Sequence, residues 1–447
     1  MLFLDYTNYD ATTIRENLGA PEYSYFFVRN AFQPVFEQLG AHISVTEPER
    51  EVEEIYRAAR ARGEQCALFA FCPPNTMPVH QKCPIVPVFA WEYDTLPDES
   101  CNDSPAEDWT AALRRAGMAI THSRFAAEVV RRTMGADYPV WDIPAPIFDK
   151  FKRPENEARG WRPPFEFVVE GGLAINASDI DLSRFSHELP NDAKVHALRV
   201  LDHVAGDPAR RPQTLQLEGV IYSTVLNPYD GRKNWRDLIG AFVWAFRDVP
   251  TATLIVKVTR HDVQDGVMPL LQHLSALGSF ECKVVIVHGM LSNAAYLQLI
   301  NSSSYAVNAS YGEGQCLPLM EYMSAGRPAV APAHTAMLDY VTPDNAFIIA
   351  SDARPTHWPH DRQQVRRCNH YKVRFDDLVR QFQRSYAVAK GDPALYARMS
   401  AAAVKSLRAF CSEDVARLRL RDVVAHLDRI EPPAKSKSEQ GPRSLAS

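Results

Sequence analysis

Apolar residues fall along this chain in two rhythms. Short unbroken apolar runs of strand length alternate with longer stretches in which apolar positions recur every three or four residues, the mark of a helix with one buried face. Over the first 150 residues the runs predict strands at 1–5, 42–45, 66–71, 85–91, 118–121 and 140–143. The stretches between them predict helices at 27–39, 48–62, 105–116 and 124–134, the last with Ser123 as its N-cap. Alternation of strand and helix implies a parallel, doubly wound sheet, so residues 1–150 are expected to form one α/β unit.

Residues 151–215 break this rhythm: they are polar, punctuated by Arg-Pro and Pro-Pro, and rich in Asp/Ser turn signals. They are expected to be a linker enlarged by an insertion. A second alternation fills 216–411. Its strands are predicted at 219–225, 252–258, 283–287, 305–309, 329–331 and 346–350. Its helices are predicted at 235–247, 269–277, 293–301, 317–325 and 376–389, with Asn234 and Ser292 as caps. Long helices at 394–410 and 413–430 close the pattern, Ser412, Glu413 and Asp414 making a clean start for the second. The tail 432–447 is rich in Ser, Lys and Pro and is expected to be disordered.

Composition narrows the class of protein. A chain of 447 residues predicts two or three domains, and 46% hydrophobic with 23% charged residues is ordinary globular composition. A net charge of −5 without basic runs argues against a nucleic-acid binder. The 8 cysteines form no Cys-x-x-Cys pair and no metal-ligand spacing, as expected of reduced thiols in a cytoplasmic protein. MLFLDYTNYD lacks the basic start of a signal peptide, and no apolar run reaches membrane-spanning length.

The chemistry concentrates between Tyr305 and Pro332. The order there is strand, glycine-flanked loop, helix, Gly-x-Pro stop, strand. Gly312 and Gly314 bracket Glu313 and would let the chain turn tightly while a ligand approaches the backbone. Pro318 suits the first helical turn, and Gly326 with Pro328 ends the helix. Glu321 is placed in the first turn, where the helix dipole favours a carboxylate. A strand end, free backbone N–H groups and a helix N-terminus together suit an anion. Glu313 and Glu321 cannot ligate phosphate, but they can accept hydrogen bonds from sugar hydroxyls. Together they point to a phosphorylated sugar, above all a nucleotide-sugar.

As it stands here, the motif is Ser310-Tyr-Gly-Glu313-Gly314-Gln315-Cys316-Leu317-Pro318-Leu-Met-Glu321-Tyr-Met-Ser-Ala-Gly326-Arg-Pro328. It resembles the donor-binding segment of the retaining GT-B glycosyltransferases, the large bacterial mannosyl- and glucosyltransferase group called glycosyl transferases group 1. The resemblance implies two doubly wound, Rossmann-like domains facing a cleft, with a helix at about 412–431 crossing back to the first. The first domain would handle the acceptor and the second the nucleotide-sugar. It implies transfer of a hexose, from a donor such as GDP-mannose or UDP-glucose, to a hydroxyl of a glycan or lipid-linked glycan, with retention. Such an enzyme would serve bacterial surface polysaccharide synthesis, in the cytoplasm or peripherally at the inner face of the membrane. No cofactor and no metal are expected, since helix dipole and lysine take the metal's place on the diphosphate.

By the same resemblance Glu313 would meet the donor sugar and act in catalysis, Glu321 would hold the ribose, and Gly314, Gln315, Cys316 and Leu317 would line the donor. Lys233, in Asn227-Pro-Tyr-Asp-Gly-Arg-Lys-Asn234, would face the diphosphate; otherwise it is a solvated turn residue. The family usually carries an arginine where this chain has Asn227. Arg232, Lys257 and Arg260 are the candidates for that charge. Glu92, in Phe89-Ala-Trp-Glu-Tyr-Asp94, would accept from sugar hydroxyls beside a stacking Trp91, or be a strand-end charge beside a core aromatic. Met290, after His288-Gly289, would lie by the nucleobase. His122 is a candidate for orientation or for packing, and His334-Thr335 lies near the same cleft edge. The first strand leads into Asp5–Asp10 without the glycine-rich loop common in the family. The competing reading is a non-catalytic scaffold that binds a sugar-nucleotide or glycan. A phosphorylase of this fold needs a pyridoxal-binding lysine, and Glu313–Glu321 contains none.

Overall fold

The structure, a computed structural model, describes residues 1–78, 82–100, 104–152, 165–169, 172–186 and 213–430. The first unit is a six-stranded sheet of β1 (Leu2–Thr7), β2 (Ala41–Ser44), β3 (Cys66–Phe71), β4 (Ile85–Phe89), β5 (Ala119–Thr121) and β6 (Val140–Asp142). Its order is β2-β1-β3-β4-β5-β6, and every pairing is parallel. Every residue of β3 is buried, as befits a strand covered on both faces by crossover helices. Helix Arg124–Met134 starts where expected, with Ser123 Oγ accepting from Ala126 N at 3.2 Å.

In the second unit, β7 (Phe165–Val169) pairs with β9 (Gln213–Leu217) as an antiparallel ribbon. The main sheet contains β8 (Leu173–Asn176), β10 (Val220–Leu226), β11 (Ala252–Val258), β12 (Lys283–His288), β13 (Tyr305–Val307), β14 (Ala329–Pro332) and β15 (Ala346–Ile349). β16 (Ser351–Thr356) and β17 (Cys368–Val373) form a hairpin. The sheet order β15-β14-β13-β10-β11-β12-β8 is parallel except for β8, which runs antiparallel to β12. The stretch 151–215, expected as a linker, thus lends an edge strand to the second sheet. Its residues 153–164, 170–171 and 187–212, and the tail from 431, lie outside the described residues.

Strand order reverses between β10 and β13. Both strands point the same way, but their crossovers leave to opposite sides and open a crevice at the carboxyl ends. The loops 227–234 and 308–316 leave the sheet at this crevice, which is what brings the candidate residues together.

The units are closed on each other. Asp94 accepts from the Asn369 backbone N and from Asn369 Nδ2, both at 2.7 Å, and Arg124 pairs with Asp339 at 2.7 Å. Helix Glu413–Ile430 returns to the first unit, burying Ala416, Leu420, Val423 and Leu427 along one face. It is anchored by Arg419 to Asp142 at 2.9 Å and by Gln38 to Glu413 at 3.0 Å. Among the described residues no helix is long and apolar enough to cross a membrane.

Three local expectations are corrected. Helix Val263–Ala276 begins well before Pro269, capped by Asp262, whose carboxylate accepts from Asp265 N at 2.8 Å. Asn234 makes no side-chain cap, because it sits in the left-handed region at φ 48° and its Oδ1 accepts from the Tyr311 hydroxyl at 2.8 Å. Glu321 is the fifth residue of helix Leu317–Ser324, so it lies beyond the first turn and its link to the dipole is weaker than expected.

Candidate active site

The crevice is built around one buried carboxylate. Glu313 is 3% exposed. Its Oε1 accepts from Lys233 Nζ at 2.8 Å, Ser310 Oγ at 2.6 Å and Asn308 Nδ2 at 3.0 Å. Its Oε2 accepts from Lys233 Nζ at 3.0 Å and Arg232 Nη1 at 3.3 Å. Burial works against the charged form. Lys233, Arg232 and the Ser310 hydroxyl outweigh it and hold the pKa down at about 2. The same carboxylate keeps Lys233 protonated in spite of its burial.

Arg232 ties the two units together. Its Nε pairs with Glu92 at 3.0 Å, its Nη2 with Asp230 at 2.9 Å, and its Nη1 donates to Gly312 O at 2.7 Å. Glu92 enters from the carboxyl end of β4, and burial raises its pKa against the pull of Arg232. Two cations here face three carboxylates, Glu92, Asp230 and Glu313.

The two glycines also serve the contact between the units. Neither takes a left-handed φ. A Cβ on Gly314 would stand 2.7 Å from Ala90 Cβ, and one on Gly312 would stand 3.1 Å from Glu92 O. They let the loop lie close against the segment that follows β4 in the first unit. Gln315 is committed across the same interface, its Oε1 accepting from Ala145 N at 3.1 Å. Cys316 precedes the helix at φ 61°, an uncommon conformation for a non-glycine residue, and takes a contact from Asn308 Nδ2 at 3.1 Å. Leu317, at the first helical position, is partly exposed.

Glu321 lies on helix Leu317–Ser324, which follows the Glu313 loop. Its Oε2 accepts from the Tyr296 hydroxyl at 2.5 Å, and burial raises its pKa to about 7. Asn227 does not stand in for an arginine, since its Nδ2 donates to Gly19 O of the first unit at 2.8 Å. Arg260 is used elsewhere, paired with Asp265 at 2.9 Å over the Tyr229 ring. Lys257 is buried at the end of β11, its Nζ donating to Val258 O at 2.8 Å. Met290 is partly exposed after Gly289, which turns at φ 109°. Thr335 Oγ1 accepts from Glu313 N at 3.0 Å, and His334 stacks on Tyr371 at 4.9 Å.

Two side chains join the core. His122 is fully buried, gives Nδ1 to Ile143 O at 2.9 Å and has its pKa lowered by burial to about 4. Trp91 is 4% exposed, packs on Trp109 at 4.6 Å and donates to Thr95 O, so it offers no stacking face.

Residue-by-residue reading did not single out Asp230 or Tyr296. Asp230 left a signal in Asp-Gly, a turn that hydrogen-bonds its own backbone, here from Arg232 N at 3.2 Å. Tyr296 left none, because it reaches Glu321 from a different helix.

Two Rossmann-like units closed on a crevice, with a last helix returning to the first, make this a protein of the GT-B class. Residues 232–358 match the family model described as glycosyl transferases group 1. The fold is shared with sucrose-phosphate synthase from Thermosynechococcus elongatus, 14% identical over 96% of this chain and 99% of that chain, at a TM-score of 0.53. It is shared also with a glycosyltransferase from Rickettsia africae, 9% identical over 96% and 98% of the two chains, at 0.50. No curated relative matches the chain by sequence.

Proposed function

We propose that the protein is a retaining hexosyltransferase that moves a sugar from a nucleotide diphosphate donor to a hydroxyl of a glycan or lipid-linked glycan. The observation that carries this is the convergence of Lys233, Arg232, Glu313 and the start of helix Leu317–Ser324 at the switch point of the second sheet. An anion is favoured there by the helix N-terminus and the cations, and a sugar by the carboxylates.

In this reading Lys233 turns from Glu313 toward the donor diphosphate. Glu313 then accepts from sugar hydroxyls and favours the positive charge that develops on the sugar ring. Glu92 acts from the acceptor side, Glu321 receives the ribose, and Cys316 with its neighbours offers backbone N–H groups. Charge on the leaving diphosphate is met by cations and helix dipole, so no metal is required. Bacterial surface polysaccharide synthesis at the inner face of the membrane is the setting we propose.

One observation favours a second reading. Glu313 is already saturated by internal donors, as in a scaffold that binds without turnover. Release of label from GDP-mannose, UDP-glucose and related donors, with and without glycan acceptors, separates the two. Turnover supports the transferase, and tight donor binding without turnover supports the scaffold.

A further inference from the structure

Lys257 is a charge without a counter-charge. It is 5% exposed and is the penultimate residue of β11. Val225 of β10 and Val287 of β12 flank it in register. Flanking side chains of a parallel sheet share a face, so the Lys257 side chain leaves the sheet between two valines near its carboxyl end. Its hydrogen bond is to Val258 O, a backbone carbonyl, and no carboxylate pairs with it among the described residues. Burial unopposed by any negative group brings its pKa down to about 7.

Lys233, Arg232 and Arg260 are already paired with carboxylates. Lys233 lies against both oxygens of Glu313, and Arg232 is held by Glu92, Asp230 and Glu313. Arg260 belongs to Asp265. A donor diphosphate arriving at the crevice meets an Arg232–Lys233 cluster whose carboxylates outnumber its cations. A buried ammonium with one carbonyl for company is costly unless something completes it. It stands next to β10 at the end of the sheet where ligands of such folds bind.

We infer that Lys257 forms an anion subsite at the carboxyl ends of β10, β11 and β12, where it takes a phosphate of the donor diphosphate. The inference rests on the nucleotide-sugar reading above and deepens it. Burial disfavours the Lys257 ammonium before binding, and a phosphate supplies the counter-charge it lacks.

The test uses the full chain and Lys257→Met, with the diphosphates of adenosine, guanosine, uridine, cytidine and thymidine as probes. Thermal shift selects the best binder, which is titrated by calorimetry beside its nucleoside. The expected result is diphosphate affinity weakened on the order of ten- to a hundredfold in the variant. Nucleoside affinity should be unchanged, and ligand-free melting no lower than wild type, because an unpaired buried charge has been removed. Equal diphosphate affinity in both proteins overturns the subsite and leaves the proposed function standing. A variant that melts lower and loses nucleoside and diphosphate alike assigns Lys257 to the fold and also overturns it. Failure of the wild type to bind any of the five removes the proposed function together with the subsite.

Discussion

Replacing Glu313 by Gln separates its structural and chemical tasks. The carboxylate is 3% exposed and lies within hydrogen-bonding reach of Lys233, Arg232, Ser310 and Asn308. Its pKa falls from 4.5 to about 2, which corresponds to roughly 3 kcal/mol in favour of the charged form. A lowered native pKa adds stability that is complete above 4.5 and is lost as pH falls through about 2. Glutamine keeps the shape but turns an N–H₂ donor toward Lys233 or Arg232. Breaking one side of a buried pair typically costs about 3–5 kcal/mol, so a loss of roughly 3 kcal/mol at pH 7 is expected. By linkage the difference should shrink to about half by pH 3. Urea denaturation of both proteins across that range reads it directly. If Glu313 also favours charge on the sugar, turnover should fall on the order of a hundredfold while donor affinity holds. Equal stability at pH 7 would refute the ion network as described. Normal turnover with a raised KM would return Glu313 to plain binding.

Further outcomes follow from neighbouring groups. Glu321→Ala should weaken nucleotide binding by roughly 10- to 150-fold, through a lost charge-assisted hydrogen bond; unchanged affinity would take the ribose away from it. Because burial holds the Glu321 pKa at about 7, wild-type affinity for the nucleoside, which has no phosphate, should rise from pH 6 to 8, and Glu321→Gln should flatten that rise. Lys233→Ala should lower nucleoside diphosphate affinity far more than nucleoside affinity in calorimetric titration, and equal losses would place its action on the fold. Activity should persist in excess EDTA, and complete loss restored by Mg²⁺ or Mn²⁺ would contradict the metal-free reading.

What the sequence disclosed was governed by local physics. The apolar runs that became β3 and β11 are buried on both faces, so they stand out without any knowledge of partners. Ser123 and Ser292 signal their helices because a cap bonds only a few residues away. Pro269 misled for a local reason too. It was taken for a helix start, whereas Asp262 had already begun the turn. The loop Ser310–Cys316 and Lys233 were legible as parts, but their mutual neutralisation was not. A salt bridge across eighty residues of chain leaves no spacing to read. Glu92 was found as a strand-end carboxylate, yet its pairing with Arg232 depends on how the two units close. Gly312 and Gly314 were recognised as sites of close approach, and only the structure showed that residues 90–92, just after β4, also pack there. The edge strand β8 was hidden inside a polar stretch whose antiparallel pairing with β12 no rhythm announces.

The central claim is that the crevice between β10 and β13 takes a nucleotide diphosphate sugar. The most direct test is a thermal-shift panel of nucleoside diphosphates and their sugars, on the wild type and on the double variant Lys233→Ala/Glu321→Ala. A ligand at a hundred times its dissociation constant stabilises by about 2.7 kcal/mol, a readily measured shift. One base family should raise the melting temperature of the wild type, more as the diphosphate sugar than as the nucleoside, and leave the double variant unmoved. A wild type that no member of the panel stabilises at millimolar concentration, or a double variant stabilised as much as the wild type, would contradict the account.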